Sequence, residues 1–199
     1  MEINYIYKYF PFISKSQYNK LKIDDVGLYS ISTPKNADII SKIIKKNFVL
    51  QNIIVTDAMA GVGGNTLSFA SFFYYVNSIE IDTKRFNYLV SNIGLYDKTN
   101  VLCIKGDYID IISKIYQDVI FIDPPWGGKS YKDFETVSIT IGDNKLEDLC
   151  EKIRIDKLCK MIILKLPLNY NIENFSDQLK TNMQIEQLPK MLVLVFLIQ

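Results

Sequence analysis

With 199 residues, 48% of them hydrophobic, the chain reads as one domain with enough apolar surface for a sizeable core. A formal net charge of +1 supplies no long electrostatic track along a nucleic acid, although an RNA could still be held locally by its end. The absence of histidine excludes histidine-based triads and histidine-ligated metals, and Cys103, Cys150 and Cys159 have neither metal-ligand spacing nor a disulfide framework, so no metal site is expected.

Residues 1–30 are rich in Tyr, Phe and Lys. Ile3, Tyr5, Ile6, Tyr9 and Phe10 can line one face of a short helix that Pro11 would end. So aromatic an arm is expected to pack on the domain. Residues 22–31 read as a turn followed by a short extended piece. Thr33-Pro34 starts a helix, with Thr as N-cap and Pro in the first turn. Its inner face carries Ala37, Ile40, Ile43 and Ile44, with Lys42, Lys45 and Lys46 outside. Residues 53–57 form a strand, followed by a glycine-rich turn and a helix carrying Leu67, Phe69, Ala70, Phe72 and Phe73. A second strand covers 75–81. A helix over 84–96 sets Phe86, Leu89, Val90 and Ile93 on one face. A third strand covers 100–104, a short helix 108–116 and a fourth strand 118–122. Residues 127–144 are polar and glycine-containing and read as a loop. A helix over 145–156, a strand over 161–166 stopped by Pro167 and a helix over 173–181 follow. Strands at 184–188 and 192–198, joined at Pro189-Lys190, make an antiparallel hairpin. Strands alternating with helices predict an α/β fold, a mostly parallel sheet with right-handed crossovers. One domain, 1–199, is expected, with an arm and helix over 1–50 and the core over 51–199.

The chain is organised around Asp123-Pro124-Pro125-Trp126-Gly127-Gly128. The apolar run before it is a buried strand, and two prolines must stop it. Asp123 therefore sits at a carboxyl strand end, where open α/β sheets bind ligands. The prolines stiffen the loop, and Trp126 presents an aromatic face. One acceptor beside one stacking face suits a flat nitrogen base with an exocyclic amine.

The glycine-rich turn points to a cofactor. A dinucleotide site wants Gly-x-Gly-x-x-Gly, and Gly61-x-Gly63-Gly64-Asn65-Thr66 lacks the last glycine. S-adenosylmethionine carries no phosphate. Its methionine part needs close backbone approach, its ammonium an acceptor such as Asp57, its ribose diol a carboxylate such as Asp82, and its adenine amine an acceptor such as Asp107. Asp57, Asp82, Asp107 and Asp123 thus fall at four successive strand ends. Each could instead merely cap a helix.

Asp57-Ala-Met-Ala-Gly-Val-Gly-Gly-Asn-Thr66, Glu80-Ile-Asp82, Gly106-Asp107-Tyr108 and Pro124-Pro-Trp-Gly-Gly128 occur in that order, behind Gly27-Leu-Tyr-Ser-Ile-Ser-Thr-Pro34. Over about residues 20–130 this resembles the trimethylguanosine synthase family, the RNA cap guanine-N2 methyltransferases. The resemblance implies a Rossmann-like class I methyltransferase with a mostly parallel seven-stranded sheet, helices on both faces and a C-terminal antiparallel hairpin. It implies transfer of methyl from S-adenosylmethionine to the exocyclic N2 of a 7-methylguanosine cap, giving a di- or trimethylguanosine cap. It places Thr33, Pro34, Asp57, Ala60, Gly61, Gly63, Asn65, Thr66, Asp82, Asp107 and Asp123 around the cofactor. Asp123, Pro124, Pro125 and Trp126 would form the catalytic loop, with Trp126 stacking on the methylated base and Phe12 or Phe10 as its second wall.

This chain differs from the family pattern in having Asp123 where Ser is usual, Leu28 where an aromatic is common, and one more residue in Ser-Ile-Ser-Thr-Pro. Asp before Pro-Pro is typical of methyltransferases acting on adenine N6 or on guanine N2 of ribosomal RNA. Both stay open as alternatives, as does a non-catalytic cap- or cofactor-binding module. The expected partner is 7-methylguanosine-capped RNA. No signal peptide is visible, and the apolar run over 191–198 is too short to span a bilayer. The cysteines, expected to be reduced, suit nucleus or cytoplasm, and without a long helical seam a monomer is expected.

Overall fold

The computed structural model describes residues 3–48 and 51–198. The chain divides into two compact units, Met1–Gln117 and Asp118–Gln199.

The first unit opens with a 3-10 helix, Ile3–Lys8, and two short helices, α1 (Lys15–Tyr18) and α2 (Asp25–Ser30). Then come α3 (Pro34–Asn47), β1 (Ile54–Asp57), α4 (Gly64–Phe72), β2 (Tyr75–Glu80), α5 (Thr83–Leu95), β3 (Val101–Lys105) and α6 (Tyr108–Ile111). Both pairings are parallel: Asp57 lies opposite Ser78, and Glu80 opposite Lys105, in the order β3-β2-β1. α3 starts where Thr33 Oγ1 accepts from Asn36 N at 3.4 Å, and it buries Ala37, Ile40, Ile43 and Ile44 as its spacing predicts. It packs on α4, where Ser41 Oγ meets Ser68 Oγ at 2.8 Å. α4 is buried from Gly64 through Ala70, which fits a sequence without a polar face.

The stretch 22–31 is not extended. Asp24 caps α2 by accepting from Gly27 N at 2.8 Å, and Leu28 N and Ile31 N donate to Asp24 O and Gly27 O. The six-residue helix shows too little apolar periodicity to be visible in the sequence. The N-terminal arm does pack on the unit. Phe10, Ile13 and Leu21 join Ala60, Val62, Leu67, Leu89 and Ile93 in one buried cluster.

The second unit contains β4 (Val119–Ile122), a 3-10 helix (Gly128–Asp133), β5 (Thr140–Ile141), β6 (Asn144–Lys145), α7 (Leu146–Ile155), β7 (Met161–Leu166), α8 (Ile172–Leu179), β8 (Met183–Leu188) and β9 (Met191–Leu197). β4 pairs with β7 in parallel, and β9 pairs antiparallel with both β7 and β8. β4, β7 and β9 are near-continuous apolar runs, as strands covered on both faces must be. β8 is more polar and lies at the edge. Residues 127–144, read as a plain loop, hold the 3-10 helix and the small β5–β6 ladder that turns at Gly142. In all, the chain builds a seven-stranded, mostly parallel sheet with a C-terminal antiparallel hairpin.

Candidate functional site

The first unit carries the glycine turn at the end of β1. Asp57 is fully buried there, and its Oδ2 accepts from Thr66 Oγ1 at 2.7 Å. Thr66 Oγ1 also meets Ser78 Oγ at 2.7 Å. Ala60 is buried, its N donating to Ile79 O at 2.8 Å. Gly61 has φ +57° and Gly63 φ +102°, values that favour glycine. A Cβ on Gly61 would meet nothing within 4 Å, so open space lies over that backbone. Gly64 is the opposite case, because a Cβ there would stand 2.6 Å from Ile31 Cγ1 and 3.0 Å from Ser32 O. The segment leading to Thr33 and Pro34 therefore presses on the turn.

Glu80, buried at the end of β2, ties this turn to the next strand. Its Oε2 accepts from Gly61 N at 2.8 Å and its Oε1 from Asp82 N at 2.7 Å. Asp82 caps α5 by accepting from Arg85 N at 2.8 Å, and that bond holds its carboxyl below the usual range. The Arg85 guanidinium lies 3.6 to 3.8 Å from Asp24, Glu80 and Asp82. Asp107 caps α6 by accepting from Ile109 N at 2.9 Å. Two of the four strand-end aspartates thus have helix-capping work, each through one oxygen, leaving acceptor capacity on the other.

Among the described residues, Ser32 Oγ and Asn65 Oδ1 are buried without a hydrogen-bond partner. Both belong to the segments that meet at Gly64. Orphaned acceptors beside an open glycine backbone fit a ligand that brings an ammonium donor. The donor set suits S-adenosylmethionine, which needs no third glycine for a pyrophosphate.

The second unit carries the loop after β4. Asp123 Oδ2 and Lys165 Nζ form an ion pair at 2.6 Å, with side chains 15% and 5% exposed. Burial pushes the Asp123 carboxyl above its ordinary range, and the Lys165 ammonium opposes that shift. Trp126 Nε1 donates to Lys165 O at 3.3 Å, and Lys165 Nζ stands 5.4 Å from the indole centroid. Tyr131 meets Trp126 edge-on, 5.3 Å between centroids and 87° between planes. Gly127 and Gly128 take φ +89° and +73° to turn the chain after the tryptophan. An open cleft of about 260 Å³ follows, lined by Trp126, Gly127, Tyr131, Phe134, Thr136, Val137 and Ser138. Asn169 Nδ2 braces its wall, donating to Tyr131 O at 2.9 Å and Phe134 O at 2.8 Å. Pro124 is buried and Pro125 exposed.

Phe10, expected as a second wall for the base, is instead 1% exposed in the core cluster and has no ring face open to a ligand. Phe12 is 90% exposed. Sequence reasoning gave no role to Glu80, Lys165, Tyr131, Phe134 or Asn169. Lys165 had a signal, since a charge inside the apolar run Met161–Leu166 requires a partner. Phe134 and Asn169 had none, because their roles arise from contacts 35 to 38 residues apart in sequence. Among the described residues no group of three or more His, Cys, Asp and Glu is placed to hold a metal. Among the same residues no helix is long and apolar enough to cross a membrane.

A model of the family described as RNA cap guanine-N2 methyltransferase matches residues 52–195. An uncharacterized protein of Acanthamoeba polyphaga mimivirus is 35% identical over 196 residues, covering 86% of this chain and 77% of that protein. The trimethylguanosine synthase of Schizosaccharomyces pombe is 34% identical over 116 residues, covering 55% of this chain. The match spans 47% of that synthase, about half its length. Among solved structures, an rRNA methylase of Streptococcus thermophilus superposes with a TM-score of 0.58 at 13% identity, covering 85% of this chain and 99% of that one. That likeness is one of fold, the Rossmann-like fold of class I methyltransferases.

Proposed function

The chain belongs to the RNA cap guanine-N2 methyltransferase family, and from that premise we propose that it methylates the exocyclic N2 of a 7-methylguanosine RNA cap. S-adenosylmethionine, when bound, supplies the electrophilic methyl group. The open backbone at Gly61, with Asn65, Ser32 and Glu80 around it, supports the cofactor half of this reading. Thr33, Pro34, Asp57, Ala60, Gly63, Thr66, Asp82 and Asp107 belong to the same proposal. A buried Glu80, with spare lone pairs on both oxygens, is as suited to a ribose diol as the capping Asp82.

The observation that carries the substrate half is the cleft beside Trp126, with Asp123 three residues before it at the strand end. A tryptophan face attracts a cationic base such as 7-methylguanine by about 0.5–2 kcal/mol. The Lys165 ammonium near the same ring is balanced by the Asp123 carboxylate, so it does not cancel that attraction. Asp123 accepts from the guanine edge and aims N2, and a carbonyl of Pro124 or Pro125 accepts a hydrogen bond from the second amine N–H. An amine nitrogen that has gained the methyl group would be acidic. Its proton then leaves to water or to Asp123. No strong base is needed beforehand, which suits a chain without histidine. Tyr131 and Phe134 are aromatic walls supplied by the second unit itself.

Mass spectrometry of cap dinucleotides tests the proposal. The protein is incubated with S-adenosylmethionine and either a 7-methylated or an unmethylated guanosine cap. Gain of one or two methyl groups on the 7-methylated cap supports it. Cofactor binding with no gain on either cap overturns it and points to adenine-N6 or ribosomal-RNA substrates.

A further inference from the structure

Lys165 touches both ends of the Asp-Pro-Pro-Trp loop. Its ammonium pairs with Asp123 and its backbone carbonyl accepts from the Trp126 indole. Every residue of its strand is buried, and its neighbour across the sheet on β9 is Val193. Stripping an ammonium of water is unfavourable and the ion pair must offset it, whereas an apolar side chain would fill the space without that desolvation. What the lysine adds, and an apolar residue would not, is control over the carboxylate.

An ionised carboxylate only accepts hydrogen bonds, whereas a protonated one presents a donor beside an acceptor. Guanine offers two donors side by side, N1–H and the N2 amine. Adenine offers its N6 amine beside the N1 lone pair. An acceptor-only group therefore complements guanine and sets lone pair against lone pair on adenine. The neutral acid would complement adenine instead. Within this unit, β7 brings Lys165 to Asp123. Pro124, Pro125 and Trp126 of its own loop carry no titratable side chain, and Tyr131 stands at the edge of Trp126. Burial pushes Asp123 toward the neutral acid, and Lys165 is the group that opposes that shift.

We propose that Lys165 is a specificity-determining positioning residue: its pair with Asp123 keeps an acceptor-only group at the end of β4 and so selects a guanine amine over an adenine amine. This rests on the reading that Asp123 meets the accepting base.

The test compares wild type, Lys165→Met and Asp123→Asn on capped guanosine and on an adenine-containing oligonucleotide across pH. In Lys165→Met at neutral pH, the guanine-to-adenine rate ratio is expected to fall at least about tenfold, the order of one base contact. It should recover as rising pH ionises Asp123. In Asp123→Asn, whose amide carries a donor at every pH, the ratio should fall without recovering. Wild type taken to acid pH should lose its preference as Asp123 gains a proton, a result that needs no variant to fold. Trp126 is the only tryptophan, so its emission supplies a second readout. A pH step in Lys165→Met that vanishes in the double variant supports the proposal. A folded Lys165→Met with the wild-type ratio, pH profile and emission overturns it, as does a wild-type ratio that stays constant into acid. If wild type transfers no methyl to guanosine at all, the substrate reading fails. The emission step then still decides whether Lys165 holds Asp123 ionised.

Discussion

Asn92 grips Lys22 by both of its backbone polar groups. Its Oδ1 accepts from Lys22 N at 2.9 Å and its Nδ2 donates to Lys22 O at 2.8 Å. The same Nδ2 donates to Val62 O at 2.9 Å, so one fully buried amide on α5 staples the N-terminal arm beside the glycine turn. Asn92→Ala would leave three backbone groups short of a partner. A loss of about 2–3 kcal/mol is expected in urea unfolding, with protease cleavage in the arm appearing before global unfolding.

The two neighbouring glycines should separate binding from folding. Gly61→Ala forces a left-handed alanine, costing about 1–2 kcal/mol, and projects a methyl into open space. Cofactor affinity by calorimetry should drop at least about tenfold while Tm falls by only a few degrees. Gly64→Ala drives a methyl into Ile31 and Ser32 O, so its main effect should be on Tm.

Trp126→Ala should weaken cap binding by about 1–3 kcal/mol and leave cofactor affinity unchanged. In the wild type, quenching of the sole tryptophan on adding cap analogue measures the same contact directly. Unaltered emission at saturating cap would remove Trp126 from the base site.

Asp82 gives a pH signature. Its folded carboxyl is held low by the Arg85 amide, so its cap on α5 is at full strength above the unfolded carboxylate pKa. It fades as pH falls through the folded value. Asn caps a helix comparably at any pH. The Tm of wild type relative to Asp82→Asn should therefore be highest near neutrality and decline below about pH 4.

Burial holds all three thiols in the protonated, unreactive form: Cys103 is pushed up to about 11, Cys159 to about 12, and Cys150 well above its ordinary value. A chromogenic disulfide reagent near pH 8 should label native protein slowly. It should label three thiols at once in denaturant.

The strands announced themselves because β4 and β7 are apolar runs closed by Asp123 and Pro167 and β9 is an apolar run that follows Pro189-Lys190, and α3 because Thr33-Pro34 is a cap that needs no distant partner. α2 was misread since its single cap, Asp24 to Gly27, precedes no apolar stripe. Phe10 and Phe12 stand two positions apart in one aromatic arm, yet one is core and the other solvent-facing, a difference set by the cluster around Leu67 and Leu89. Asp82 and Asp107 were legible as strand-end acids, but their capping bonds were not separable from ligand roles. Lys165 stood in plain view as a charge in a buried strand. Its partner, 42 residues earlier, required the β4–β7 register.

Asn169 does more than decorate the cleft. Its amide bonds to Tyr131 and Phe134, with Val137 N donating to Asn169 O and Asn171 N to Val137 O, moor the segment after Trp126 along its length. A base arriving there meets walls already standing, so the ordering entropy of that segment is lost on folding and not on association. Affinity differences among cap analogues should accordingly appear in how fast they leave, with arrival rates nearly the same for all.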